Sequence, residues 1–221
     1  MSVRSSLLIG FFCAFLSFSV SNGWADVVPV ANSSFETLPA GGLPYGGCGV
    51  GCSYSVDAIP SWTTTGNSGQ FQPGPPTNTS YFNYVPDGST VAYSNGGTIS
   101  QTVGATVQVG TVYTLSVELG NRNDGYGSAG SADLLIHGIQ YAATGVEAAP
   151  GTWTTWTAKY VGLPGDAGDA ITIQLNASTV QGDYDKVSLN TPEPSSLLLL
   201  SVMGAALLGL TGLCKRNLTD R

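Results

Sequence analysis

Between residues 26 and 190 apolar and polar side chains tend to alternate in short runs, and helical spacing is absent. The clearest run is 111–119. Tyr113, Leu115, Val117 and Leu119 share one face, while Val112, Thr114, Ser116 and Glu118 share the other. A period of two predicts a strand with the first set toward the core. Residues 170–175 repeat the pattern, with Ile171, Ile173 and Leu175 inward. Further strands are predicted at 90–93, 97–103, 152–161 and 184–189, with a strand broken by a glycine turn or bulge over 132–141. Shorter segments open at 27–30 and 59–62. Trp153 and Trp156 stand three apart, so they face opposite ways and at most one belongs to a core. Gly- and Pro-rich stretches at 38–51 and 71–79, and a polar Gly-rich one at 121–131, read as loops. Eight to ten short strands with long crossing loops predict an all-β fold, an antiparallel jelly-roll sandwich.

The two ends carry a different pattern. Arg4, an apolar run over 7–20 and Gly23-Trp24-Ala25 read as a signal peptide, residues 1–25, cut by signal peptidase after Ala25. Residues 195–214 hold no charge, enough chain to cross a bilayer core of ~30 Å at ~1.5 Å per residue. Lys215 and Arg216 follow directly and favour the cytoplasmic side. One domain, 26–190, remains between the ends, and 191–221 forms a terminal unit. Its Pro192-Glu193-Pro194, the apolar span and the basic tail 215–221 resemble the PEP-CTERM sorting signal of exopolysaccharide-making bacteria, with a thinner basic cluster than usual. The resemblance implies an exosortase that reads Pro192, Glu193 and Pro194. It also implies export, transient anchoring in the inner membrane, and a final place at the cell surface or in the medium.

Composition narrows the partners. The chain carries a net charge of −7, and within 26–190 only Arg122, Lys159 and Lys186 are basic. Such a surface repels phosphate backbones and excludes nucleic acid as a partner. Cys48 and Cys52 are the cysteines of the domain, set among glycines. In an oxidising compartment they read as a small-loop disulfide; a thiolate metal pair is the rival reading.

Asn32-Ser33-Ser34-Phe35-Glu36, then Ile99-Ser100-Gln101-Thr102-Val103, Gly151-Thr152-Trp153 and Tyr184-Asp185-Lys186-Val187-Ser188-Leu189 resemble, in this order, the strands of jelly-roll carbohydrate-binding modules with a galactose-binding-like fold. That resemblance implies that Glu36 and Asp185, near the two ends of the domain, hold a structural Ca²⁺. It also directs attention to aromatic side chains that stack on sugar rings. Tyr81, Tyr84 and Tyr126 lie in polar loops, with Asn123 and Asp124 as hydrogen-bonding neighbours. Catalytic signals are sparse. His137 is the single histidine, and the pairs Asp166/Asp169 and Asp183/Asp185, nominated for glycoside hydrolysis, read as loop and turn residues. The expectation is therefore a non-enzymatic exported protein of a biofilm matrix that binds glycan or exopolysaccharide. A structural matrix protein without a ligand and a secreted glycoside hydrolase are the alternatives.

Overall fold

The computed structural model describes residues 26–74, 81–126, 130–178 and 180–191. Twelve strands follow one another: β1 (Asp26–Val28), β2 (Ser53–Tyr54), β3 (Thr63–Thr64), β4 (Asn67–Gln72), β5 (Val91–Asn95), β6 (Thr98–Thr106), β7 (Val112–Asn121), β8 (Gly130–Ile136), β9 (Ile139–Ala142), β10 (Thr152–Val161), β11 (Ala170–Ala177) and β12 (Gly182–Thr191). They form two antiparallel sheets. The larger runs β10-β7-β12-β5-β4-β2, with β1 also paired to β12, and the smaller runs β3-β6-β11-β8-β9. The all-β sandwich is as expected, and the first strand lies beside the last, Val27 opposite Asn190. Among the described residues no helix is long and apolar enough to cross a membrane. The segments read as signal peptide, sorting motif Pro192-Glu193-Pro194 and membrane span lie outside the described residues.

The main core fills the space between the sheets. Leu115 and Val117 from β7, Ile171, Ile173 and Leu175 from β11, Leu134 from β8, and Tyr184 and Leu189 from β12 are fully buried there. Each is the inward member of an alternating run, and each contributes roughly 1.5–3 kcal/mol by leaving water. β8 and β9 join through His137 and Gly138, whose φ angles are 50° and 75°. Two consecutive positive φ values make the tight hairpin turn that suits twisted strands, so the expected break is a hairpin.

Two sequence expectations fail for one reason: the larger sheet is covered on both faces. Phe71, assigned to a loop, sits in β4, whose sequence Asn-Ser-Gly-Gln-Phe-Gln has little β-propensity. Its register is Gly69 opposite Tyr93 and Phe71 opposite Val91. Trp153 and Trp156 do face opposite ways, yet both meet apolar surroundings. Trp156 packs on the inter-sheet core, and Trp153 joins a second cluster with Phe71, Tyr81, Phe82, Val91, Tyr93 and Cys52.

A candidate active-site cleft on the outer face of the large sheet

The second cluster stands on the outer face, and strand register places it. Gly69 of β4 pairs with Tyr93 of β5, Tyr93 with Asp183 of β12, Asp183 with Gly120 of β7, and Gly120 with Trp153 of β10. One row of side chains therefore crosses five strands on the face turned away from the smaller sheet. Gly120 is small because the Trp153 and Phe82 rings lie over it; a Cβ there would come within 2.8 Å of Trp153 and 2.9 Å of Phe82. Next to these rings opens a cleft of about 320 Å³. Tyr54, Asn67, Phe71, Tyr93 and Asn95 line it from β2, β4 and β5. Cys48 and Tyr81 come from loops, and Arg122 and Gln181 from the end of β7 and the approach to β12.

The loop wall is fastened covalently. Cys48 and Cys52 form a disulfide, which decides between the two sequence readings. The Tyr81 hydroxyl donates to the Cys48 carbonyl, tying one wall to the other. The Tyr93 hydroxyl donates to the Ser55 carbonyl at 2.8 Å, and burial pushes its pKa up to about 12. It stays a neutral donor.

A polar chain runs through these aromatic walls. Arg122 grips Asp124 with both Nε, at 3.0 Å, and Nη2. Its Nη1 donates to Gln181 Oε1 at 2.7 Å. Gln181 Nε2 in turn donates to Asp183 Oδ1 at 2.7 Å. The guanidinium carbon lies 4.4 Å from the Tyr81 ring centroid, 5.3 Å from Tyr126 and 5.8 Å from Phe71. Asp183 is 1% exposed, and its Oδ2 has no hydrogen-bond partner among the described residues. Burial raises its pKa to about 7 against the opposing pull of the Gln181 bond and the Arg122 charge. A carboxyl group so placed holds its proton near neutral pH and has a free oxygen from which to give it.

The aromatic and polar residues singled out from sequence gather at one end of this cleft. Tyr81 is in its wall, Tyr126 stands exposed over Arg122, and Asp124 holds the guanidinium. Asn123 donates its backbone N–H to the Tyr81 carbonyl at 2.7 Å, and its Nδ2 donates to Asn83. Tyr84 is half exposed and takes part through its carbonyl, which accepts from Trp153 Nε1 at 2.9 Å. Glu36 and Asp185 meet elsewhere, on the loop before β5. Glu36 Oε1 accepts from the Ser89 and Thr90 N–H groups, and Asp185 Oδ2 accepts from the Asp87 N–H. Among the described residues no group of three or more His, Cys, Asp or Glu is arranged to hold a metal ion. Asp183 and Asp185 are corrected from turn residues to buried members of a central strand. Sequence reading passed over Arg122, Gln181, Phe71 and Tyr54 as site residues and set Asp183 aside as a turn residue. The available signal was an arginine, rare in this domain, next to Asp124, and two acids flanking an inward tyrosine.

The matching family model is that of the HpiC1 cyclase, described as HpiC1-like, over residues 26–190. The chain belongs to the HpiC1-like cyclase family. Solved structures of cyclases from Fischerella have the same fold. An apo cyclase from Fischerella sp. superposes with a TM-score of 0.61 at 22% identity, covering 76% of this chain and 97% of its own. The Stig cyclase Fisc from Fischerella sp. TAU, in complex with (3Z)-3-(1-methyl-2-pyrrolidinylidene)-3H-indole, gives 0.60 at 24% identity, covering 77% and 99%. A cyclase from Fischerella sp. TAU with 4-(1H-indol-3-yl)butan-2-one gives 0.59 at 23%, covering 76% and 98%. Carbohydrate-binding modules are also among the similar structures; the CBM22-1 xylan-binding domain of Paenibacillus barcinonensis Xyn10C gives 0.46 at 12%, covering 79% and 100%. No curated protein sequence matches significantly. Family membership overturns the expectation of a non-enzymatic glycan-binding matrix protein, and with it the exosortase-substrate and biofilm description: the matched family is one of cyclases. The all-β sandwich expectation holds for the fold and not for the activity, because a fold does not by itself fix a function.

Proposed function

We propose that the chain is a cyclase that closes a ring in the cleft over β4, β5 and β12, with Asp183 as the acid that starts the reaction. The observation that carries this reading is the buried Asp183 carboxyl, with one oxygen unpartnered among the described residues, opposite Tyr93 in the sheet and hydrogen-bonded to Gln181, both of which line an aromatic cleft. The proton leaves Asp183 Oδ2 and is taken up by the electron pair of a substrate π bond. A second π bond of the same molecule attacks the electron-poor carbon, forming the new ring bond. Loss of a proton from the ring restores neutrality, and the Asp183 carboxylate takes that proton back. Product and substrate are isomers, so the reaction needs no other reactant. The rings of Phe71, Tyr81 and Tyr93 suit a flat substrate. A volume of about 320 Å³ fits a small fused-ring compound, and the indole ligands of the similar Fischerella cyclases support that class. Asp183→Asn should lower cyclisation of an accepted substrate by about 100-fold or more while circular dichroism stays unchanged. Full turnover by the variant would remove Asp183 from the chemistry.

Two further readings belong here. Calcium at Glu36 and Asp185 is supported by the crowding of carboxylates there: burial chiefly raises the pKa of Asp185, the Asp87 and Glu36 charges add to the rise, and a divalent cation would offset that repulsion. Each carboxylate oxygen that accepts an amide retains lone-pair capacity. The melting temperature should rise with Ca²⁺ and fall with chelator; no change would dismiss the ion. Export through the inner membrane is supported by the apolar ends of the chain and by the Cys48–Cys52 disulfide, which suits an oxidising compartment. Recovery of the protein solely in the cytoplasmic fraction would refute it.

A further inference from the structure

We propose that Arg122 sets the specificity of the cleft, which takes a flat aromatic compound bearing a neutral carbonyl oxygen, held by an Arg122 N–H. This deepens the cyclase reading and rests on the same cleft.

The argument begins with how firmly Arg122 is held. Its side chain is 11% exposed and lines the cleft, yet Asp124 engages it along one edge and Gln181 at a second nitrogen. Gln181 is itself fixed, because its amide nitrogen is bound to Asp183. Asp124, Arg122, Gln181 and Asp183 thus form one continuous chain that orients the guanidinium plane over Tyr81. The bonds made use one hydrogen each on Nη1 and Nη2, leaving an N–H on both terminal nitrogens for another acceptor. A fork of this kind, rigid before the ligand arrives, loses little freedom on binding.

Charge then selects the group that fits. A substrate with a fixed positive charge is repelled by the guanidinium. A carboxylate faces Asp124, which already offsets Arg122. A carbonyl oxygen accepts the N–H without adding charge, and its flat conjugated neighbour lies along the Phe71 and Tyr81 rings. No other cation competes for the role: Lys159 and Lys186, the other basic residues of 26–190, are exposed and do not line the cleft.

Calorimetric titration of the mature protein with three probes tests this: 4-(1H-indol-3-yl)butan-2-one, the indole with a plain butyl chain, and the indole whose chain ends in a carboxylic acid. Wild type should bind the ketone about tenfold or more tighter than the butyl compound, as expected for a charge-assisted hydrogen bond. The acid should bind no tighter than the ketone. Arg122→Met should bind ketone and butyl compound alike. Equal binding of those two by wild type, preference for the acid, a ketone preference that survives in Arg122→Met, or no binding of any probe would each overturn the inference. The contrast between probes is read in wild type, so it stands even if the variant misfolds. Binding is read without turnover. A ketone preference without cyclisation would leave this inference intact and the cyclase reading refuted. Cyclisation of a carbonyl-free substrate, indifferent to Arg122, would do the reverse.

Discussion

The large sheet has two apolar faces built to different ends. Toward the smaller sheet it presents Leu115, Val117, Tyr184 and Leu189, mostly aliphatic and sealed. Outward it presents Phe71, Tyr81, Phe82, Tyr93 and Trp153, mostly aromatic, interrupted by a polar chain and opened by a cleft. The inner face has what a stable sandwich requires. The outer face buries a carboxyl group with one oxygen lacking a partner among the described residues, an arrangement that costs stability and is retained where chemistry needs it. The comparison teaches that the same five strands separate folding from function by side: odd and even positions of one strand serve the two tasks. On β12, Tyr184 holds the core together while Asp183, one residue earlier, lies on the outer face and is bonded to the cleft-lining Gln181.

Paired substitutions on those two faces break the comparison most sharply. Asp183→Asn should lower the cyclisation rate by about 100- to 10,000-fold, the range for removing a general acid, with no loss of stability in urea. Leu115→Ala should cost about 2–5 kcal/mol of stability and leave the rate per folded molecule near that of wild type. If Asp183→Asn unfolded the protein, or Leu115→Ala silenced the folded fraction, the division between faces would be false.

The inner face was legible in the sequence and the outer face was not. Alternation placed Tyr113, Leu115, Val117, Leu119, Ile171, Ile173 and Leu175 inward, where they are buried. The same rule left open which of Trp153 and Trp156 points inward, and Asp183 was read as a turn residue. What covers Trp153 and Asp183 comes from far along the chain. Tyr81 and Phe82 lie in one loop, Cys48 in another pinned by its disulfide, and Phe71 in a strand with a glycine at its centre. Loop packing of this kind has no period to read. Tyr81, Tyr126 and Asp124, expected as glycan-binding candidates, all lie close to Arg122. Arg122, between them, was missed because it was read as a charge and not as a positioned donor.

The smallest expected effect concerns the covalent tie on the outer face. The ring closed by Cys48 and Cys52 contains few residues, so by chain entropy alone it contributes only about 2 kcal/mol to global stability. Its local effect should be more specific. The loop carries the Cys48 carbonyl that fixes the Tyr81 hydroxyl, and Tyr81 lies beneath the Arg122 guanidinium. If the ketone probe binds as proposed, replacing both cysteines by serine should weaken its binding by roughly threefold, a change of well under 1 kcal/mol. Hydrogen exchange should quicken in the loop around residues 46–52 and at Tyr81, and stay as in wild type along β7 and β11. Faster exchange spread evenly over β7 and β11 would mean that the two clusters open together. The cleft could not then be adjusted independently of the core, and the separation of tasks by face would fail at its weakest point.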